Sequence, residues 1–175
     1  LFFVYIVYFF LIAYGKVSKM VCKNNNRTRF FKQLDNMENL YFAYGSNLNY
    51  PQMMQRCPSS DPVAIAKCIH FKFIINARGV ATIIPNKDSE VYGVLWKITK
   101  GDLISLDIYE GVSYGTYFRS FIDVQVKEKK IKALVYFASN TEIGKPSDHY
   151  IETILEGIKY FKGHQKWLTE IKMVS

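Results

Sequence analysis

The sequence lacks the signatures that assign many proteins to a class at once. It contains three cysteines and three histidines among 175 residues, and their spacing matches neither a zinc site, a disulfide framework nor a Ser-His-acid triad. It also lacks a phosphate-binding loop and a dinucleotide fingerprint. We therefore expect reduced thiols in a cytosolic protein, and no metal site.

An apolar run long enough to cross a bilayer, which takes about 20 residues, is also missing. Residues 1–14 are apolar but fall short of that length, and residues 16–36 are polar and basic without periodicity. Residues 1–36 can be a disordered leader, part of an anchor or signal core, or translated upstream sequence. We favour a start at Met37, because the first well-formed strand follows it. We expect no membrane role unless residues 1–14 belong to a real anchor.

The positive charge is concentrated in this N-terminal segment. The formal net charge is +8, from 23 lysines and arginines against 15 acidic residues. Residues 1–36 hold six of those cations and one anion, which leaves 17 cations, 14 anions and a net charge of +3 for residues 37–175. The charged residues 127–130 have the pattern of a solvated hairpin turn. Because nucleic-acid binding requires a basic patch or stripe, we expect no nucleic-acid partner.

Residues 37–175 are predicted to form one α+β domain, because short β-branched and aromatic runs alternate with helical segments. A helix is predicted over about residues 51–57, ended by Pro58. Residues 85–89 are predicted to be a turn. The predicted strands are residues 40–44, 69–75, 80–84, 91–98, 117–126 and 131–138. A further helix follows Ser147 and carries an apolar stripe formed by Ile151, Ile154, Leu155 and Ile158.

The first candidate for chemistry is the turn Tyr44-Gly45-Ser46-Asn47, between a strand and a helix. Glycine lets the backbone approach a ligand closely, and successive amide groups can hold a carboxylate. The plainer interpretation is an ordinary strand-to-helix turn.

The second candidate is Glu110, at the end of a predicted helix. Thr99 and Asp102 have the spacing of a capping box at its start, and Gly111 is typical of the position after its end. A carboxylate there faces the negative end of the helix dipole. If it is also desolvated, its pKa rises toward the range useful for moving protons near neutral pH. The plainer interpretation is an exposed glutamate at a frayed helix end.

Four blocks of the sequence, in order, resemble the γ-glutamylcyclotransferase family. They are residues 41–48, 79–83, 90–96 and 106–112. The resemblance covers most of residues 40–155, and it favours the functional interpretation of both candidates. It implies a small mixed-strand β-barrel with helices packed around it.

The resemblance also implies a reaction. A γ-glutamyl amide carries an α-amine that can attack its own γ-carbonyl, forming 5-oxoproline and releasing an amino acid or amine, with no metal or cofactor. Glu110 is implied as the catalytic acid/base that deprotonates the α-ammonium and reprotonates the departing amine. The loop implied to hold the glutamyl group consists of Tyr41, Phe42, Ala43, Tyr44, Gly45 and Ser46. The tyrosines implied around the pocket are Tyr117, Tyr136 and Tyr150.

The leaving group is the open part of this prediction. The form of the turn at residues 44–47 is closer to the branch that acts on γ-glutamyl amino acids, but the branches acting on γ-glutamylamines or glutathione share the loop and the glutamate. A non-catalytic small-molecule binding module on the same fold is a rival, and Glu110 argues against it. The resemblance also allows a homodimer, and we expect a cytoplasmic location.

Overall fold

The structure is a computed structural model that describes residues 40–173. The predictions for residues 1–36, for the start at Met37 and for Cys22 lie outside the described residues. Residues 40–173 form five strands, four helices and two 3₁₀ turns. They are, in chain order, β1 (Leu40–Ala43), a 3₁₀ turn (Ser46–Leu48), α1 (Tyr50–Arg56), β2 (Asp61–Ile75), β3 (Ala81–Lys97), α2 (Lys100–Tyr109), a 3₁₀ turn (Val112–Tyr114), β4 (Tyr117–Val126), β5 (Lys129–Ala138), α3 (Asp148–Tyr160) and α4 (Gln165–Lys172).

The five strands close into one barrel in the order β1-β3-β2-β4-β5. Four of the strand pairs are antiparallel, and the pair that closes the barrel, β1 with β5, is parallel, with Tyr41 opposite Leu134. The prediction of a small mixed-strand barrel with packed helices is confirmed.

β2 and β3 are longer than the sequence pattern indicated. The predicted strand 69–75 belongs to a 15-residue strand, and the predicted strands 80–84 and 91–98 belong mostly to one 17-residue strand. The prediction that residues 85–89 end a strand is wrong, because β3 continues through them. They lie at a register shift in the ladder, opposite His70, whose φ is 65°. A β-bulge absorbs these turn-forming residues without ending the strand.

The local helix signals match the structure. Thr99 and Asp102 form the capping box of α2, and Gly111 follows that helix in the left-handed conformation, with φ of 62°. The Ser147 side chain accepts a hydrogen bond from the Tyr150 amide and caps α3. Caps of this kind stabilise a helix by about 1 kcal/mol each. The predicted stripe of α3 lies in the core, where Ile154 and Ile158 are fully buried.

Gly157 brings α3 against the turn that follows β1. A Cβ at this position would lie 2.4 Å from the Leu48 carbonyl carbon, so a larger residue would force the helix away. Asn49 links the same two elements, since its Nδ2 donates to Glu156 Oε2 at 3.0 Å. The C-terminal half of α3 is therefore fixed relative to this turn.

Residues 40–173 contain neither a membrane-spanning helix nor a cluster of metal ligands. None of the helices in this range combines the length and the apolar character needed to cross a bilayer. The same residues contain no group of three or more histidine, cysteine or acidic side chains placed to hold a metal ion.

Candidate active site

A cavity of about 200 Å³ lies between the turn after β1 and the C-terminal end of α2. It is smaller than the roughly 300–1,000 Å³ of pockets for drug-sized ligands, so it suits a small molecule. Eight of the ten predicted site residues line it. They are Tyr41, Tyr44, Gly45, Ser46, Glu110, Tyr117, Tyr136 and Tyr150.

Phe42 and Ala43, the other two predicted site residues, lie in the buried core and do not line the cavity. They pair with residues of β3 in the barrel ladder. Gly93 makes room for them, because a Cβ there would lie 2.6 Å from the Phe42 ring and 2.4 Å from the Ala43 carbonyl oxygen. Phe42 and Ala43 therefore hold β1 in place and leave ligand contact to their neighbours.

Glu110 is half-buried in the cavity wall. Its Oε1 accepts a hydrogen bond from Asn47 Nδ2 at 3.0 Å. Burial raises the pKa of Glu110, because the charged form loses hydration, while the positive charge of Arg56 and the Asn47 hydrogen bond act in the opposite direction. The alternative of an exposed glutamate at a frayed helix end is therefore wrong.

Asn47 connects Glu110 to two further groups. Besides its bond to Glu110, Asn47 Nδ2 donates to Tyr41 Oη at 2.9 Å, and Asn47 Oδ1 accepts from Arg56 Nη1 at 2.6 Å. The Arg56 guanidinium also lies over the Tyr109 ring, 4.8 Å from its centre. Because Asn47 is buried and uses both its donors and its oxygen, its orientation is fixed. It therefore fixes the position of the Glu110 carboxyl.

Tyrosine hydroxyls on the cavity wall are held by main-chain groups. Tyr117 Oη donates to the Ala81 carbonyl oxygen at 2.8 Å, and Tyr150 Oη accepts from the Ala81 amide at 3.0 Å. Tyr44 Oη donates to the Tyr136 carbonyl oxygen. Burial raises the pKa of Tyr44, Tyr117 and Tyr150, so these phenols stay neutral. They form a fixed wall and keep their hydroxyl protons near neutral pH, so they do not act as acids or bases.

Tyr136 is held in place through its hydroxyl group. Its hydroxyl donates to Asp107 Oδ1 at 2.8 Å, and Asp107 Oδ2 accepts from Arg119 at 2.7 Å. The Tyr136 ring stands edge-on to Tyr41, with 5.7 Å between ring centres. Asp107 therefore fixes a tyrosine that contacts the cavity.

Seven residues of the cavity wall were not among the ten predicted site residues, although one of them, Asn47, belongs to the turn that was predicted as a candidate. Two of them, Asn47 and Arg56, carried weak signals, because Asn47 ends the turn motif and Arg56 is the cation of the short helix α1. Their link to Glu110 spans more than 50 positions, and local pattern does not show it. The missed residues are Asn47, Arg56, Arg78, Val80, Ala81, Tyr109 and Thr116.

The cavity combines a carboxyl of raised pKa with two guanidinium groups and neutral phenols. Such a site can bind a small ligand that carries both an amino and a carboxylate group, and it can move a proton at Glu110.

Similarity to known proteins agrees with this interpretation of the cavity. A mouse γ-glutamylcyclotransferase is 34% identical over 146 residues, which cover 77% of this chain and 78% of the mouse protein.

A human γ-glutamylcyclotransferase is 37% identical over 131 residues, 69% of this chain and 70% of the human protein. The chain belongs to the γ-glutamylcyclotransferase family. The AIG2-like family model matches residues 90–162. A solved structure of a γ-glutamyl cyclotransferase superposes with a TM-score of 0.74 at 33% identity, covering 78% of this chain and 88% of that one. The family resemblance predicted from four sequence blocks is confirmed, and so is the γ-glutamylcyclotransferase fold.

Proposed function

We propose that this protein is a γ-glutamylcyclotransferase that converts γ-glutamyl amino acids to 5-oxoproline and a free amino acid, with Glu110 as acid and base. The observation that carries the proposal is the Glu110 carboxyl, which is half-buried in the cavity and held by Asn47 at 3.0 Å. Its raised pKa suits a group that must accept a proton and return it near neutral pH.

The cavity offers a partner for each charged part of a γ-glutamyl group. The α-ammonium pairs with Glu110, and the α-carboxylate meets the Gly45–Ser46 backbone and the Arg56 guanidinium. The wall beside Gly45 is narrow, because a Cβ there would lie 3.2 Å from the Ala81 Cβ and 3.3 Å from Tyr150 Oη. A small, rigid site favours the folded-back conformation in which the α-nitrogen approaches the γ-carbonyl carbon.

The reaction begins when Glu110 takes one proton from the α-ammonium. The freed amine attacks the γ-carbonyl carbon, and the tetrahedral adduct loses a second proton from the same nitrogen to solvent. Glu110 returns its proton to the departing nitrogen as the old C–N bond breaks. The products are the five-membered lactam and an amine, which takes up a proton in solvent, and Glu110 is again a carboxylate.

The test is to incubate the full chain with γ-glutamyl-alanine, γ-glutamyl-ε-lysine and glutathione, and to measure 5-oxoproline. We expect turnover of γ-glutamyl-alanine, and a loss of about 10²- to 10⁴-fold in Glu110→Gln, the range for removing a general acid or base. Glu90→Gln is the matched control, because Glu90 lies outside the cavity, and it keeps normal turnover.

Two results would contradict the proposal. A folded wild type that forms no 5-oxoproline from any of the three compounds would overturn the activity. A folded Glu110→Gln variant with a near-normal rate would overturn the role of Glu110.

A further inference from the structure

The charges of the cavity exceed what a γ-glutamyl group alone requires. Besides its phenols, the ionisable side chains of the cavity wall are Glu110, Arg56 and Arg78. A γ-glutamyl group presents one ammonium and one carboxylate, which Glu110 and Arg56 match. Arg78 remains, so the cavity as a whole complements a ligand with one ammonium and two carboxylates.

The two arginines differ in the contacts that their side chains already make within the protein. Arg56 is partly buried, donates to Asn47 Oδ1 at 2.6 Å and lies over the Tyr109 ring. Arg78 is exposed, and within residues 40–173 its guanidinium makes no hydrogen bond or ion pair to another side chain. Arg78 is therefore available to a ligand.

Arg78 lies on a turn between β2 and β3, and several contacts hold the backbone of this turn in place. The buried Asn76 side chain accepts hydrogen bonds from the amides of Arg78 at 3.0 Å and Val80 at 3.4 Å. The turn packs closely against the segment before α3, where a Cβ on Gly144 would lie 2.3 Å from the Asn76 carbonyl oxygen. A fixed backbone reduces the entropy lost when Arg78 binds a ligand.

The position of Arg78 separates it from the acid/base. Because it is exposed and also lines the cavity, it lies at the open side, whereas Glu110 is half-buried. Arg78 lines the same cavity as Tyr117. A substrate whose γ-amide reaches Glu110 extends its leaving group toward the open side.

We propose that Arg78 binds the α-carboxylate of the leaving amino acid, so that this protein selects γ-glutamyl amino acids over γ-glutamylamines. The inference rests on the proposed function and specifies its leaving group. A guanidinium binds a carboxylate through charge-assisted hydrogen bonds, and a γ-glutamylamine leaves that interaction unmade.

The test compares γ-glutamyl-alanine with γ-glutamylethylamine, which differs by loss of the leaving-group carboxylate. The measured quantity is the ratio of the two kcat/KM values in the wild type, Arg78→Gln and Arg78→Lys. We expect the wild type to prefer γ-glutamyl-alanine by about threefold to tenfold, the effect of a charge-assisted hydrogen bond to an exposed side chain. Arg78→Gln removes most of this preference and Arg78→Lys retains part of it, because lysine keeps the charge without the planar fork.

Lys132→Gln is the matched control. Lys132 is an exposed cation on β5, outside the cavity, and its removal keeps the wild-type ratio. An Arg78→Gln variant that loses activity equally on both substrates would overturn the inference, because Arg78 would then act on the shared glutamyl group. An unchanged ratio would overturn it too. Both results leave the proposed cyclisation standing, whereas a wild type inactive on both compounds overturns the cyclisation itself.

Discussion

Two glutamates of this barrel have opposite electrostatic surroundings. Glu90, on β3, contacts two lysines directly, with Lys166 Nζ at 2.7 Å and Lys67 Nζ at 3.0 Å. These contacts lower the pKa of Glu90 to about 2. Glu110 has a cation nearby as well, but Arg56 reaches it through Asn47, and burial raises its pKa.

The difference shows how one residue type is kept ionised in one place and made able to exchange protons in another. Direct lysine contacts at a partly solvated site favour the charged carboxylate, so that Glu90 stays ionised throughout the physiological pH range. Burial with a neutral amide between carboxyl and cation leaves desolvation as the larger effect. Only the second arrangement yields an acid/base useful near neutral pH.

The largest difference in turnover between the two glutamates is expected when each is shortened by one methylene. Glu110→Asp draws the carboxyl away from Asn47 and from the reacting atoms, and a displacement of about 1 Å can cost about 10²-fold in rate. Glu90→Asp leaves turnover nearly unchanged, because its lysines are flexible. Steady-state kinetics on γ-glutamyl-alanine measure both, and similar losses in the two variants would break the contrast.

A smaller effect is expected from removing Asn47. Asn47→Ala breaks the hydrogen bonds to Glu110 and Tyr41, and kcat/KM falls about tenfold to hundredfold. Because the Asn47 bond lowers the pKa of Glu110, its loss moves the acidic limb of the pH–rate profile to higher pH.

Asn49→Ala is the control for this variant. Asn49 Oδ1 accepts from the Gln52 amide at 3.0 Å and caps α1, so its loss costs about 1 kcal/mol of stability. Its pH–rate profile keeps the wild-type limb. Identical profiles for the Asn47 and Asn49 variants would show that Asn47 has no specific effect on Glu110.

The smallest effects are the pH dependences of stability, and they have opposite signs. The lowered pKa of Glu90 adds stability above the ordinary glutamate pKa of about 4.3, and this stability is lost as the pH falls toward about 2. Glu90→Gln therefore lowers the free energy of unfolding at neutral pH, by less than about 1 kcal/mol at this partly solvated ion pair.

The raised pKa of Glu110 gives the reverse sign. Its contribution to stability is present below the ordinary glutamate pKa and is lost as the pH rises through the folded value. Glu110→Gln is thus more stable than the wild type at neutral pH, and the difference vanishes in acid. Urea unfolding at several pH values measures both variants, and a destabilised Glu110→Gln at neutral pH would contradict the sign.

Local features of the fold were predictable from the sequence because they depend on neighbours in the chain. The capping box of Thr99 and Asp102 and the β4–β5 hairpin are examples. The lengths of β2 and β3 were not predictable, because a bulge opposite His70 carries the ladder past a turn-forming sequence. Barrel pairing, which decides this, is a long-range property.

The candidate site also has some features that were predictable from local sequence and others that depend on long-range packing. The position of Glu110 at a helix end follows from local signals, and the family resemblance gave its proposed role. The contacts of Asn47 and Arg56 with the Glu110 region arise only when the barrel closes and α1 packs near α2. Phe42 shows the opposite limit, since this motif residue lies in the core although its neighbour Tyr41 lines the cavity.

The most direct test of this account is a ¹³C NMR titration of the side-chain carboxyl carbons, with Glu110 assigned from the signal missing in Glu110→Gln. The account predicts that Glu110 titrates above the ordinary glutamate value of about 4.3, while Glu90 titrates near 2. It also predicts that the acidic limb of kcat/KM follows the Glu110 titration. A Glu110 that titrates at or below the ordinary value would contradict the claim that burial prepares this carboxyl for acid/base chemistry.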